Sequence, residues 1–231
     1  MDNKDFNGKS VLLTGGSRGI GLATAAAFLE GGARVAVCGR DAARLQSAER
    51  QLRALGEVLA APADVRDRAQ VEQLARKAHA HFGRIDVLVN NAGVTWVGRF
   101  ADEDYDSMDA VIDVNLKGVL YTTRAVLPLM LAQGGGVIIN VASGAGLSGF
   151  PDIAVYCASK FGVVGFTESL HREVRDRGVR VYALCPGRVA TDMQVQYSGR
   201  RIGMPPEEVA RRIVRLAGPD PRADPGSCVE V

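Results

Sequence analysis

Short apolar runs bounded by turn residues recur along this chain, at Ser10–Thr14, Arg34–Cys38, Val58–Ala61, Ile85–Val89, Val137–Val141 and Val179–Leu184. Unbroken apolar runs are what strands need when both faces of their sheet are covered. Between them lie stretches of helical periodicity: Leu22–Gly31, Asp41–Leu55 with Asp41 as N-cap, Asp67–Phe82, about Asp104–Gln133, and about Ala154–Arg177. The long stretch from Asp104 is expected to break or bend near Pro128. A further helix should start at Pro205-Pro206, where Glu207 and Glu208 suit the helix dipole. Cys228–Val231 reads as a last short strand. Strands alternating with helices predict an α/β fold, a doubly wound parallel sheet with helices on both faces and right-handed crossovers. No linker, repeat or low-complexity segment interrupts the pattern, so residues 1–231 are expected to form a single domain.

The first strand runs straight into Thr14-Gly15-Gly16-Ser17-Arg18-Gly19-Ile20-Gly21, and then into an alanine-rich helix. In a Rossmann-type domain this turn is where backbone N–H groups and the positive end of a helix dipole meet a dinucleotide's pyrophosphate. Gly15, Ser17, Arg18, Gly19, Ile20 and Gly21 are therefore candidate cofactor-binding residues. The end of the second strand selects the nucleotide. NAD enzymes carry an acidic residue there for the ribose 2′-hydroxyl. This chain has Gly39-Arg40 instead. A guanidinium suits a phosphate, which predicts NADP (NADPH), and Arg18 is expected to reach the same phosphate. Asp41, as an N-cap, would point at its own helix.

Tyr156-Cys157-Ala158-Ser159-Lys160 places a phenol and an ammonium one helical turn apart, with Cβ atoms about 5–6 Å from each other. A nearby cation would lower the phenol pKa toward the working range of an acid–base catalyst. Alone, such a pair is ordinarily a surface lysine beside a half-buried tyrosine; its meaning depends on the rest of the chain.

Bulk properties exclude several partners. A formal net charge of +2 with dispersed arginines argues against nucleic acid or an anionic membrane. No apolar run approaches the length needed to span a bilayer, and the polar start from Met1 to Ser10 lacks a signal-like core. Cys38, Cys157, Cys185 and Cys228 are far apart in sequence and form no metal-site spacing. They are read as free thiols, and the protein as cytoplasmic. His79, His81 and His171 fall on expected helices without partners, so no metal is expected.

Together these motifs resemble the short-chain dehydrogenase/reductase family. The match runs from about Gly8 to Val231: the glycine turn, Asp64-Val65, Asn90-Asn91-Ala92-Gly93, Ser143 ahead of Tyr156 and Lys160, and Pro186-Gly187 with Thr191, in that order. The resemblance implies a catalytic set of Asn115, Ser143, Tyr156 and Lys160. Ser143 would hydrogen-bond the substrate oxygen and Tyr156 exchange the proton. Lys160 would bind ribose hydroxyls and lower the tyrosine pKa, and Asn115 would hold a relay water. Asp64 and Val65 would lie by the adenine, and Asn91 and Gly93 would line the cofactor. Pro186, Gly187, Val189 and Thr191 would position the nicotinamide. A homotetramer or homodimer is also implied, packed through the long helix and the Tyr156 helix.

The expected activity is NADP(H)-dependent interconversion of a ketone and an alcohol, acting on a small-molecule substrate. One alternative is a 3-oxoacyl thioester reductase, although Met130-Leu131-Ala132-Gln133 lacks the basic residues that carrier-protein reductases of this family tend to show. Another is a dinucleotide-sensing Rossmann protein without turnover, since fold alone does not give function. Substrate-pocket candidates are Val94, Thr95, Trp96, Leu147, Phe150, Arg188, Met193 and Tyr197, with Arg188–Met204 as a loop over the nicotinamide side.

Overall fold

The computed structural model describes residues 5–231; the polar start read from Met1 to Ser10 lies partly outside them. Its first half runs β1 (Ser10–Thr14), α1 (Gly19–Glu30), β2 (Arg34–Gly39), α2 (Ala42–Arg53), β3 (Val58–Pro62), α3 (Arg68–Phe82) and β4 (Val87–Asn90). The second half runs α4 (Tyr105–Ile112), α5 (Gly118–Ala132), β5 (Gly136–Val141), α6 (Ala154–Val174), β6 (Val179–Cys185), α7 (Asp192–Ser198), α8 (Pro206–Ala217) and β7 (Cys228–Glu230).

The strands form one seven-stranded sheet in the order β3-β2-β1-β4-β5-β6-β7, and every neighbouring pair is parallel. The chain winds outward from β1 to β3, then returns to lay β4 beside β1. That reversal opens a crevice at the carboxyl ends of β1 and β4, where open α/β sheets bind ligands.

Why the apolar runs are unbroken is plain from their packing. Along β1, Val11 and Leu13 join the core under α1, α2 and α8, whereas Leu12 points into the core under α3, α5 and α6. Each such side chain contributes about 1.5–3 kcal/mol by leaving water. The helix starts follow from local chemistry. Asp41 Oδ1 accepts the Arg44 N–H at 3.0 Å, and Asp67 Oδ1 accepts those of Ala69 and Gln70 at 2.9 and 3.2 Å. Pro206 opens α8, where no N–H is needed. At the other end of α8, the Arg180 guanidinium donates to the carbonyls of Ala217 and Gly218 at 3.2 and 3.0 Å.

Four expectations need correction. The long helical stretch departs from regularity at Asp113–Lys117, a π-helical turn in which the Gly118 N–H reaches back to the Asp113 carbonyl. α5 continues through Pro128. Second, the Arg188–Met204 loop contains α7, started by Thr191 and ended by Gly199 at φ +70°. Third, His81 is not without a partner: its Nε2 lies 3.1 Å from Glu57 Oε1. Fourth, Cys185 and Cys228 are joined as a disulfide, with Cα atoms 6.3 Å apart. Pairing of β6 with β7 sets Cys228 opposite Ala183, one diagonal step from Cys185, so a gap of 43 residues in sequence closes in space. The cysteines are therefore not all free thiols, as the cytoplasmic expectation had assumed. Among the described residues no helix is long and apolar enough to cross a membrane.

Candidate active site

The crevice opens into one continuous cleft of about 1490 Å³. All of the sequence-predicted site residues line it except Asp64 and Asn115. Of the pocket candidates, Trp96 and Leu147 stay outside the lining, while Val94, Thr95, Phe150, Arg188, Met193 and Tyr197 belong to it.

The glycine loop is folded against β4. Gly15 sits at φ +70°, and a Cβ there would come within 2.9 Å of the Ala92 Cα. At Gly21 a Cβ would lie 2.1 Å from the Gly15 carbonyl oxygen, so only hydrogen fits. Asn91 ties the two segments together. Its Nδ2 donates to the carbonyls of Thr14 and Gly15 at 3.0 Å each, and the N–H groups of Asn91 and Ala92 share the Thr14 hydroxyl at 3.1 Å each. The result is a rigid turn at the start of α1, a cradle with room for a pyrophosphate beside it. These residues fit a dinucleotide.

At the inner end of the cleft, α6 presents Tyr156 and Lys160 on one face, with Lys160 Nζ 5.6 Å from the centroid of the tyrosine ring. Lys160 is only 4% exposed, and its Nζ donates to the Val141 carbonyl at 2.8 Å. Burial with no carboxylate partner lowers its pKa to about 8. Tyr156 goes the other way: burial raises its pKa, with the Ser143 hydroxyl pulling it back in part. Lys160, its own pKa depressed by burial, does not offset that rise in this structure. Ser143 follows β5 and accepts the Ala145 N–H at 3.1 Å, which fixes its side chain beside the phenol.

Asn115 lies within the π-helical turn and is fully buried. Its Oδ1 accepts the Val94 N–H at 2.9 Å, and its Nδ2 donates to the Val94 carbonyl at 2.9 Å and to Ser159 Oγ at 3.1 Å. Both amide donors and one acceptor position of the side chain are engaged. What it does here is pin the segment after β4 to α6.

The outer end of the cleft is held differently. Arg18, expected to face a phosphate, donates to Asp192 Oδ2 at 2.9 Å, and Arg201 bonds the other oxygen of the same carboxylate. The Arg201 and Arg18 guanidinium groups hold the Asp192 carboxyl below the usual range. Asp64, between Ala63 and Val65, turns its carboxylate to Arg66 at 2.7 Å. Burial alone would raise the Asp64 pKa, but Arg66, with Arg40 beyond it, brings it below the carboxylate norm. Arg40 itself stays exposed.

Several contributors escaped the sequence reading. Asn90 Nδ2 bridges Thr123 at 2.9 Å and Asn140 at 2.8 Å, and Asn140 passes the chain on to Thr167 of α6 at 2.9 Å. This buried ladder locks α5, β4, β5 and α6 together beside Val141, whose carbonyl holds Lys160. Polar residues inside otherwise apolar strands, at Asn90 and Asn140, were the available signal. Asp192 carried none, since Arg18 is far from it in sequence and Arg201 lies beyond the turn that ends α7.

Comparison with known proteins agrees with this geometry. A family model described as short chain dehydrogenase matches residues 9–201. A 3-oxoacyl-[acyl-carrier-protein] reductase of Synechocystis sp. is 42% identical, over 92% of this chain and 90% of its own length. An uncharacterized oxidoreductase of Staphylococcus aureus (strain MRSA252) is 36% identical over 89% of each chain. The crystal structure of levodione reductase superposes with a TM-score of 0.93 at 29% identity, covering 98% of this chain and 96% of that one. A putative short-chain alcohol dehydrogenase from Sinorhizobium meliloti 1021 gives 0.92 at 30% identity, covering 98% and 95%.

Proposed function

This chain belongs to the short chain dehydrogenase family, whose members are nicotinamide dinucleotide oxidoreductases, and from that premise we propose that it reduces a ketone to an alcohol with NADPH. The observation that carries the reading is the convergence of Ser143, Tyr156 and Lys160 in the cleft that the glycine loop also lines. When bound, the dinucleotide supplies a hydride to the carbonyl carbon. Ser143 and Tyr156 meet the carbonyl oxygen with hydroxyl hydrogen bonds, which strengthen as that oxygen gains charge. Tyr156 gives up its proton there. Lys160, released from Val141, would hold the ribose hydroxyls and stabilise the phenolate left behind. Arg40, exposed at the end of β2, supports NADP over NAD.

A second reading, reduction of 3-oxoacyl thioesters, is favoured by the 42% identity to the Synechocystis sp. reductase over 92% of this chain. Both readings share the chemistry of a ketone and differ in what extends from the cleft mouth. Assembly as a homotetramer or homodimer belongs to the same proposal, supported by Phe161 standing 46% exposed on α6; light scattering tests it. The deciding experiment follows NADPH and NADH absorbance with a panel of ketones, cyclic diketones and 3-oxoacyl thioesters. Turnover with NADPH on at least one class is expected, and thioester preference would select the second reading. Tight NADPH binding with no turnover on any class would leave a dinucleotide sensor instead.

A further inference from the structure

The disulfide joining Cys185 to Cys228 has a position that gives it a consequence for the cleft. β7 is an edge strand of three residues, paired only with β6. Beyond it, the Val231 carbonyl accepts the Gly187 N–H at 3.0 Å, while the Pro186 carbonyl accepts the Gly144 N–H at 2.9 Å. Gly144 directly follows Ser143. The Pro186-Gly187 turn is thus held between the Ser143 turn on one side and β7 on the other, and Cys185 immediately precedes it. The covalent loop that the bond closes contains α7 and α8, and with them Val189, Thr191 and Met193 of the cleft lining.

We propose that Cys185 and Cys228 form a reversible thiol–disulfide couple whose state sets how firmly β7 and the Pro186-Gly187 turn are fastened to the cleft. A Cα separation of 6.3 Å lies within the span a disulfide bridges without moving the backbone. The two cysteines differ in access: Cys185 is 2% exposed, whereas Cys228 is half-buried on the edge strand. Oxidation by a small-molecule disulfide then has a defined order. The Cys228 thiolate attacks one sulfur of that disulfide and expels one thiolate, leaving a mixed disulfide. The Cys185 thiolate attacks the Cys228 sulfur and expels the second. The pair loses two protons and two electrons, and the small disulfide takes them up to leave as two thiols. Cys38 and Cys157 are buried and unpaired elsewhere, and serve as internal controls. Any effect on turnover rests on the oxidoreductase reading above; the cross-link itself does not.

The test uses oxidised and reduced glutathione as probes on the full chain, followed by alkylation under denaturing conditions and non-reducing peptide mapping. After oxidation, two cysteines should resist alkylation and a peptide linking residues 185 and 228 should appear. Reduction should lower the thermal midpoint by roughly 5–10 °C and weaken NADPH binding measured by fluorescence. In C228S neither quantity should respond to glutathione. Should C228S fail to fold, the oxidised and reduced wild type are compared alone, since mass and melting report without a variant. Alkylation of all four cysteines after oxidation would overturn the couple. A cross-link that leaves both the midpoint and NADPH affinity unchanged would overturn its link to the cleft. Neither readout depends on turnover, so loss of the oxidoreductase reading would not be mistaken for loss of this one.

Discussion

The two ends of the cleft are built on opposite principles. At the inner end, Asn115 and Lys160 are almost wholly buried, and their hydrogen bonds run to backbone groups of Val94 and Val141 and to the Ser159 hydroxyl. At the outer end, Arg18 and Asp192 pair with 55% and 52% of their side chains exposed, and Asp64 pairs with Arg66. A buried amide has nowhere else to find its partners, and breaking such a bond leaves a donor or acceptor unsatisfied at about 1–3 kcal/mol. An exposed ion pair contributes about 0.2–1 kcal/mol and is easily exchanged. The inner end is therefore held by buried bonds, of which the proposed mechanism exchanges only the one from Lys160 to Val141, whereas the outer end pairs its exposed charges with each other.

The contrast breaks most sharply at Tyr156. Tyr156→Phe removes only the hydroxyl, so NADPH affinity should be preserved while kcat falls by roughly 10²–10⁴. Stopped-flow kinetics with parallel binding measurements check this, and near-normal turnover would end the proton-donor assignment.

Lys160 comes next, read through stability. Its folded value near 8 lies below the 10.5 of a free lysine. Between those values the unfolded chain binds more protons than the native one, so wild-type stability should rise with pH across that window. Below it, charging the buried amine costs the native state its full penalty. Lys160→Met should thus be more stable than wild type at pH 7, by roughly 2 kcal/mol after about 1 kcal/mol for the lost Val141 bond. The gap should close as pH climbs from 8 toward 10.5. Urea unfolding at several pH values measures it, and a gap that widens instead would refute the burial argument.

At the outer end, Arg40→Ala should cut the preference for NADPH over NADH by about 10–100-fold, the worth of one charge-assisted bond to the extra phosphate. Unchanged cofactor preference would remove Arg40 from that role. The smallest effect belongs to Asp192→Asn. Freeing Arg18 from its pair should tighten NADPH binding by about twofold at low salt, and the gain should fade as salt is added. Weaker binding in that variant would mean that Asp192 orders the loop rather than competing for it.

How far each part could be read in advance follows the same division. The sheet was legible because apolar runs such as Ser10–Thr14 have one stable use, with Val11 and Leu13 on one face and Leu12 on the other. The cap at Asp41 was legible because a helix start is a matter of neighbours within three residues. The Tyr156–Lys160 face was legible for the same local reason. A break at Pro128 does not occur, whereas the π-helical turn at Asp113–Lys117, which carries Asn115 and its bonds to Val94 and Ser159, had no local signal.

What the chain alone determined is the alternation of strand and helix, the glycine turn and the spacing of groups one helical turn apart. These depend on interactions within a few residues. Tertiary structure alone decided where Arg18 spends its charge, which way Lys160 points, and that Cys185 meets Cys228. Each of those choices is made between groups far apart in sequence, which only the packed sheet brings within bonding distance.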